Sequence, residues 1–418
     1  MATAGRRRAD ASRLVCAACW LAALAGIAFL SSDGVRGIMV DLNVYRSGAL
    51  TVLHGHDLYA MRTTTRLSFT YPPVSALLAV PLALVPLGAA KLAWVAMIYL
   101  PLAVAVWFGF RPLLVRAGRY APAMAAALVC GCAFLFPIRQ EIDLGQIDVF
   151  LLGLCLLDCV VPRPRWPRGA LIGLATAIKL VPGVFVVYLL ITGRRKAAAV
   201  AAMCFAAWTA VAFALEPRDS TAYWTSAIFD TRRLGGNGAA GNQSLRGMVL
   251  RALAPGPGAT AVWLTLAAAA AVLGFAAARA CWRRGDDMAG VVITGLLAAL
   301  LSPVAWIHHF CWVVVAVGLI AGECRGWRRI ALAAASFCLF LTMLPVWGQT
   351  LLNLGRLPVV PGRLLEDSFG AAALILIAVL YRLRPTDREL LAWRPELGQE
   401  SEAARPVVAQ PSAEQPQT

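Results

Sequence analysis

The chain has 418 residues, of which 60% are hydrophobic and only 14% charged, and its mean hydropathy is +0.71. Soluble domains carry about 45–50% apolar and about 25% charged residues, so this composition excludes a soluble enzyme, a soluble nucleic-acid-binding protein and a disordered chain. The net charge of +16 comes from basic residues in short loops between apolar runs. The positive-inside rule explains this pattern without a nucleic-acid partner. The sequence therefore predicts an all-α polytopic membrane protein.

The basic loops orient the predicted spans. Arginines before the first apolar run, residues 14–30, predict a signal anchor with a cytoplasmic N-terminus, and a cleaved signal peptide is the alternative. Residues 31–73 would then form a long outer loop. The apolar run at 74–87 is short for a span, so it is re-entrant, interfacial or a short span, whereas 92–110 is long enough to cross.

Further along the chain, basic residues at 111–119 and 163–168 mark cytoplasmic loops. Residues 170–191 run from one basic loop to another at 194–196, so a single crossing would break the charge rule. A broken hairpin bent near Pro182 satisfies it. This segment is therefore predicted to enter and leave on the same side.

The whole map predicts about ten full spans and two short or broken elements in one domain, residues 1–383. A second long outer loop covers about residues 216–256. Residues 384–418 are rich in proline, glutamate and glutamine and predict a disordered cytoplasmic tail.

The polar motifs all fall on the predicted outer face. In chain order they are Asp41-Leu-Asn-Val-Tyr45, Phe69-Thr-Tyr-Pro-Pro73, Arg139-Gln-Glu-Ile-Asp-Leu-Gly-Gln146, Gly241-Asn-Gln-Ser-Leu-Arg246 and Trp306-Ile-His-His309. The four histidines of the chain lie on this face as well. Scattered surface polarity would not concentrate them there, so the outer face is the predicted active site.

Two charged residues stand out by their surroundings. Asp41 is flanked by Val40 and Leu42 near the predicted membrane surface, and desolvation there would raise its basicity, as a general base requires. The alternative for Asp41 is an N-cap of the following helix. Lys179 lies in an apolar segment, where an unpaired cation costs about 2.5–3.5 kcal/mol. Its predicted partner is an anionic ligand such as a lipid phosphate, and a structural ion pair or snorkelling is the alternative.

The histidines and amides are candidate ligand contacts. His308 and His309 suit a sugar hydroxyl when neutral and a phosphate when protonated, but adjacent residues on a helix face different sides, so we do not expect both to touch one atom. Interfacial packing is the alternative. Asn242 and Gln243 follow a glycine-rich stretch, and amides suit sugar hydroxyls, although a plain flexible loop is the other reading.

The metal and aromatic signals are weak. Glu141 and Asp143 form an acid-x-acid pair, but two carboxylates make a thin site for a divalent ion, and no zinc ligand set is evident. A metal cofactor is therefore possible but not favoured. Tyr45 and Tyr71 belong to an aromatic belt at the interface or stack on a sugar.

Taken in order, these motifs resemble a known enzyme family. Asp41 to Tyr45, His54-Gly55, Leu58-Tyr59, Phe69 to Pro73, Gly145-Gln146, Ala177-Ile-Lys-Leu-Val-Pro182, Gly241-Asn-Gln-Ser244 and Leu301-Ser-Pro303 through His308-His309 are similar to the actinobacterial membrane mannosyltransferases of glycosyltransferase family 87. One departure is Asp148, where the family pattern leads us to expect asparagine. Any role for Asp148 is thereby put in doubt.

The resemblance implies a GT-C-like bundle of about 10–12 helices in the bacterial plasma membrane, with an extracytoplasmic active site and both termini cytoplasmic. The implied donor is polyprenyl-phosphate mannose, and the implied acceptor is a glycolipid of the phosphatidylinositol mannoside or lipomannan type. Asp41 would deprotonate the acceptor hydroxyl, and inversion would give an α-1,2 link without a metal cofactor. Two sets of binding residues follow: Lys179, His308, His309, Arg246, Asn242 and Gln243 for the donor, and Tyr45, Tyr71 and Gln146 for the acceptor or sugar.

Two alternatives stay open at this stage. The sugar on the lipid phosphate could be another one, such as arabinofuranose, since no residue distinguishes it from mannose. A lipid-linked sugar flippase or transporter is the non-enzymatic alternative. That class predicts polar residues along a path through the membrane and on both faces, whereas the motifs here gather outside.

Overall fold

The computed structural model describes residues 2–393 as helices joined by turns, with side chains from Cys16 onward. Within this part of the chain there is no β-strand, only isolated bridges between Arg62 and Ser68 and between Asn242 and Trp306. The predicted all-α class is therefore confirmed.

The first half of the chain forms eleven α-helices before the long helix that starts at Arg195. They are α1 (Ala2–Arg36), α2 (Val40–Leu53), α3 (Pro73–Leu78), α4 (Val80–Ala83), α5 (Leu87–Gly109), α6 (Arg111–Ala117), α7 (Ala121–Ala133), α8 (Phe136–Leu144), α9 (Asp148–Val160), α10 (Ala170–Ile178) and α11 (Val184–Ile191).

The second half begins with that helix. It comprises α12 (Arg195–Leu215), α13 (Pro217–Thr225), α14 (Leu245–Ala252), α15 (Pro257–Arg283), α16 (Asp287–Leu301), α17 (Val313–Ala321), α18 (Trp327–Leu341), α19 (Leu344–Asn353), α20 (Val359–Glu366), α21 (Ser368–Arg382) and α22 (Asp387–Trp393). Short 3-10 helices lie at Gly118–Tyr120, Val181–Gly183, Ala227–Phe229, Thr231–Leu234 and Ile307–Trp312.

Several of these helices are long and apolar enough to cross a bilayer. The candidates are Cys16–Arg36, Leu87–Gly109, Arg111–Ala133, Arg195–Leu215 and Pro257–Arg283. Two bent pairs, α18 with α19 (52°) and α20 with α21 (63°), raise five candidate spans to seven, and three shorter apolar helices accompany them among the described residues. The protein is thus a multi-pass membrane protein.

One predicted boundary is wrong. The basic residues at 111–119 predict a cytoplasmic loop, but α6 and α7 together form one candidate span, Arg111–Ala133. Only the short 3-10 turn Gly118–Tyr120 interrupts it. Arginine is a good helix former and its long side chain can reach the interface, so basic residues do not by themselves end a helix.

The core of the bundle lies at α16 and α17 rather than at the longest helices. Every residue from Met288 to Leu300 and from Val313 to Ala321 is buried. By contrast, only 11% of the apolar window of α15 and 17% of that of α12 are buried. The short central helices are therefore surrounded by protein, and the long outer helices present apolar surface to lipid.

Residues 170–191 form the predicted broken hairpin. A Cβ at Gly169 would meet the carbonyl oxygen of Ala197, and one at Gly173 would meet that of Ala201, so α10 runs alongside α12 from its first turn. The end of α11 is joined to Arg195, the first residue of α12, by a short turn. The start of α10 at Ala170 and the end of α11 at Ile191, which we call the feet of the hairpin, therefore lie at the same end of α12. The turn between α10 and α11, which includes Lys179, is its tip.

The predicted disordered tail is wrong over its first residues. Helix α22 packs against α6, and its Glu389 is buried, with an ion pair to Arg329 at 2.9 Å. A buried carboxylate with a guanidinium partner anchors this helix to the bundle. The rest of the predicted tail, residues 394–418, lies outside the described residues.

Candidate functional site

Helix α2 brings Asp41 to the site. The helix begins at Val40, and its N-cap residue is Met39, whose side chain makes no capping bond. The alternative reading of Asp41 as the N-cap is therefore wrong. Gly145 packs directly against helix α2, because a Cβ on this residue would lie only 2.6 Å from the Cβ of Leu42. Its φ of +71° is also a conformation that residues other than glycine adopt with strain. This close approach places Gln146 beside Asp41.

The carboxyl group of Asp41 is held in a poorly solvated position. Burial raises its pKa to about 6, although a hydrogen bond from the Gln146 side chain and the charge of Lys179 act in the opposite direction. The neighbouring charge of Asp148 raises it further. A carboxylate with this pKa is mostly ionised at pH 7 yet far more basic than a free aspartate, as a general base requires.

Two tyrosines and Gln146 form a hydrogen-bonded wall next to Asp41. The hydroxyl of Tyr45 lies 2.9 Å from Gln146 Oε1, to which it donates, and 3.2 Å from the hydroxyl of Tyr71. Burial raises the pKa of Tyr45 well above its usual value and that of Tyr71 to about 12, so both stay protonated. The indole of Trp94 donates to the backbone carbonyl of Gln146 at 3.3 Å. These contacts hold the amide of Gln146 in one orientation.

Lys179 interrupts the hairpin and carries its charge to the same place. Its backbone is extended (φ −151°, ψ 125°) between α10 and the 3-10 turn. Its ammonium group lies 2.8 Å from Asp148 Oδ2, 2.9 Å from His309 Nε2 and 5.7 Å from the centre of the Tyr71 ring. The tip of the hairpin is therefore a buried ion pair in contact with an imidazole and an aromatic face.

Both histidines face Asp148, which contradicts the expectation that they point to different sides. Their Nε2 atoms lie 3.7 Å (His308) and 3.8 Å (His309) from Asp148 Oδ2. The reason is local, because the segment Ile307–Trp312 is a 3-10 helix with non-helical angles at Phe310. The potential ligand atoms of Asp148, His308 and His309 thus lie within 4.8 Å of one another, a set that was not evident from the sequence.

The imidazole rings still have unused nitrogens. Both ring nitrogens of His308 and Nδ1 of His309 are buried without a hydrogen-bond partner. Buried polar atoms are nearly always paired, so these atoms point to a polar group of a bound ligand or to water.

We call eight residues the polar cluster. They are Asp41, Tyr45, Tyr71, Gln146, Asp148, Lys179, His308 and His309. Seven of them were predicted from the sequence on separate motifs; Asp148 was not.

The predicted donor-binding amides lie elsewhere. The Oδ1 atom of Asn242 accepts from the backbone of Ser244 and Ala305, and Gln243 Oε1 accepts from Phe369 and Gly370. Their amide NH2 groups donate to the carbonyls of Asn237 (from Asn242) and of Ala240 and Glu366 (from Gln243). Both side chains are fully buried. They hold the segment that leads to the histidines instead of offering groups to a ligand.

Arg246 is not in the cluster either. Its guanidinium stacks at 5.3 Å on the ring of Trp263, which belongs to α15.

The acid pair also separates, since Glu141 is buried and Asp143 is half-buried with an ion pair to Arg139 at 3.4 Å. Residues two apart on a helix point to different sides, so Glu141 and Asp143 cannot share one ion.

Asp148 is the residue that sequence reasoning missed. An intramembrane lysine needs an anionic partner, and Asp148 follows the Gly-Gln motif by two residues, so the sequence carried the signal. The structure makes Asp148 the counter-ion of Lys179 and the neighbour of both histidines.

The structure is that of a multi-pass membrane protein with a poorly solvated carboxylate, Asp41, next to a lysine and two histidines. The model of glycosyltransferase family 87 matches residues 69–303, more than half of the chain. The chain therefore belongs to this family and is a membrane glycosyltransferase. This assignment favours the enzyme over the alternative of a flippase or transporter.

Curated relatives agree with the family. The chain is 32% identical over 326 residues to the polyprenol-phosphate-mannose-dependent α-(1-2)-phosphatidylinositol mannoside mannosyltransferase of Mycobacterium tuberculosis, covering 74% of this chain and 75% of the relative. It is 34% identical over 358 residues to the enzyme of the same name from Mycolicibacterium smegmatis (76% and 79%). A Mycobacterium tuberculosis pentamannoside mannosyltransferase is 31% identical over 337 residues (76% and 77%). No solved structure matches the chain significantly.

Proposed function

We propose that this protein transfers mannose from polyprenyl-phosphate mannose to a phosphatidylinositol mannoside or a related lipoglycan and forms an α-1,2 link. The names of the relatives supply the donor, the acceptor class and the linkage. The observation that carries the proposal is the desolvated Asp41 carboxylate, whose pKa of about 6 suits a base that acts on a sugar hydroxyl.

In this reaction Asp41 takes the proton of the acceptor hydroxyl as its oxygen attacks the anomeric carbon. The bond from that carbon to the phosphate oxygen breaks, and the electron pair leaves with the polyprenyl phosphate. A phosphate leaves as a stable anion, so one carboxylate is sufficient and no second carboxyl acid is required. Attack from the face opposite the leaving group inverts a β-linked donor to an α-mannoside.

The remaining residues of the polar cluster are proposed to bind the donor and the acceptor. Lys179 and the unpaired imidazole nitrogens of His308 and His309 offer hydrogen-bond donors to the phosphate oxygens. Asp148 already neutralises Lys179, so a phosphate gains directed hydrogen bonds there rather than a free positive charge. Tyr45 and Tyr71 keep their protons and offer hydroxyls to the sugar.

We propose that the polar cluster faces outside the cell in the bacterial plasma membrane, with both termini in the cytoplasm and residues 1–383 acting as one domain. The basic loops support this orientation. Arg194, Arg195 and Lys196 lie at the feet of the hairpin, which the positive-inside rule places in the cytoplasm, so the tip with Lys179 points towards the outside. The lipid donor would then enter from the outer leaflet.

We also propose that transfer needs no metal ion. Asp148, His308 and His309 could hold one by their spacing. The ammonium group of Lys179, however, lies 2.8 Å from Asp148 and 2.9 Å from His309, in the position where a bound cation would contact these ligands. A divalent ion in that position would be repelled by Lys179.

The test is transfer of radiolabelled mannose from polyprenyl-phosphate mannose to a phosphatidylinositol mannoside by purified protein. Asp41→Asn is assayed in parallel, and Asp33→Asn, an exposed carboxylate eight residues earlier, is the matched control. The proposal expects transfer by the wild type and the control but not by Asp41→Asn. Transfer by Asp41→Asn at the wild-type rate would exclude this residue as the base. If the wild type fails with polyprenyl-phosphate mannose but transfers arabinofuranose from the corresponding lipid, the proposed donor is wrong and the arabinofuranose lipid takes its place.

A further inference from the structure

The feet of the hairpin line an open basic cavity at the end opposite Lys179. It measures about 600 Å³ and is formed by the residues that precede α10, the turn after α11 and the first turns of α12. Helix α10 has nine residues, so the cavity lies roughly 13 Å along the helix axis from the polar cluster. It is therefore separate from the candidate active site.

Of the four cations that line this cavity, only Arg194 has a carboxylate partner like that of Lys179 among the described residues. Arg168 donates to the carbonyl oxygens of Asp158, Cys159, Val161 and Pro162, which are uncharged acceptors at the end of α9. Arg194 is ion-paired with Asp287. Arg195 and Lys196 are exposed and make no hydrogen bond or ion pair with the described residues. The cavity thus carries a net positive charge.

One wall of the cavity is apolar and continues along the membrane-facing side of α12. Ala197 and Val200 belong to the cavity, and Met203, one turn further, is 64% exposed. Val211 and Leu215 lie four residues apart near the same side of α12 as Val200 and extend this exposed surface towards the end of the helix. A ligand that fits both features has an anionic head and an apolar chain.

We propose that this cavity binds the phosphate headgroup of an anionic membrane phospholipid, with an acyl chain lying along α12. Arginine and lysine are the usual partners of phosphate oxygens, and basic pockets between membrane helices on the cytoplasmic side take such headgroups. A free inorganic anion would use the cations but not the apolar wall. Because the cavity joins both feet of the hairpin, a bound lipid would hold together the element that carries Lys179.

The test is lipid binding by native mass spectrometry of the full-length protein in detergent, titrated with phosphatidylglycerol, phosphatidylcholine or inorganic phosphate. The proposal expects phosphatidylglycerol to bind in preference to phosphatidylcholine. Removing two surface cations in Arg195→Gln/Lys196→Gln should weaken phosphatidylglycerol binding about 30-fold. The matched control, Arg325→Gln/Arg328→Gln, removes two charges just before and within the first turn of α18 and should change binding less than about twofold.

Two further variants keep the test decisive if the first does not fold. Arg195→Lys/Lys196→Arg retains both charges and should bind as the wild type does, whereas Val200→Asp places a carboxylate on the apolar wall and should weaken binding. Equal phosphatidylglycerol binding by the wild type and Arg195→Gln/Lys196→Gln would overturn the proposal, as would an equal loss in the control. Displacement of the lipid by an equal concentration of inorganic phosphate would assign the cavity to a soluble anion instead.

Discussion

The two ends of the hairpin formed by α10 and α11 treat positive charge in opposite ways. At the tip, Lys179 is buried and paired with Asp148 and His309. At the feet, Arg195 and Lys196 are exposed and unpaired. The difference follows from solvation, because a cation inside the bundle requires a counter-ion and one at the surface is stabilised by water or lipid phosphate. The tip is built for a defined chemical geometry and the feet for a diffuse electrostatic contact.

The largest expected effect comes from Asp41, the proposed base next to the tip of the hairpin. Asp41→Asn should lower kcat about 10²–10⁴-fold, the usual contribution of a general base, with little change in donor KM. Steady-state kinetics with radiolabelled donor measure this. A loss below tenfold would mean that another group takes the proton.

Breaking the ion pair at the tip should cost stability as well as activity. Lys179→Met leaves the Asp148 carboxylate buried without its partner, which typically destabilises by about 3–5 kcal/mol. The thermal midpoint in detergent should fall clearly, and the donor KM should rise more than the acceptor KM.

The double variant Lys179→Met/Asp148→Asn separates these two effects. It removes the lone buried charge and should recover much of the lost stability but not the donor KM. Recovery of both would limit the pair to a structural role, and recovery of neither would contradict the coupling of the two residues.

A smaller stability effect is expected away from both ends of the hairpin. Gln243→Ala removes the acceptor for the backbone N–H groups of Phe369 and Gly370 and should destabilise the fold by about 1–3 kcal/mol. Because Gln243 lies outside the polar cluster, the donor KM of the surviving protein should be unchanged. A rise in donor KM without loss of thermal stability would restore the predicted role in donor binding.

The pH profile tests the role of Asp41 without a mutation. In the proposed mechanism the ionised form of Asp41 is the active base, and its raised pKa of about 6 places half of the sites in the protonated form at that pH. The value of kcat/KM should fall about tenfold per pH unit below 6 and level off above it. A profile that is flat between pH 5 and 7 would contradict this assignment.

The smallest effect is expected from metal removal. Transfer after treatment with EDTA should equal transfer before it, because Lys179 already contacts Asp148 and His309. Loss of activity that zinc or manganese restores would show that the histidines and Asp148 hold an ion during turnover.

Part of this site could be predicted from residue types and their context. Asp41 and Lys179 are conspicuous because charged groups in apolar surroundings are costly and therefore rare. Tyr45, Tyr71 and Gln146 lie in polar motifs next to them along the chain or on the same predicted face. Asn242 and Gln243 lie in a similar polar motif, and only the structure shows that backbone groups pair with both amides.

The sequence by itself determined the membrane class, the all-helical fold and the reversal of residues 170–191, because hydropathy and loop charge depend on local composition. Only the tertiary structure decided that Asp148 neutralises Lys179, that both histidines turn towards it, and that unpaired cations meet in a cavity at the feet of the hairpin. These facts depend on the packing of helices far apart in the chain and on a local 3-10 geometry. Neither leaves a periodic signal in the sequence.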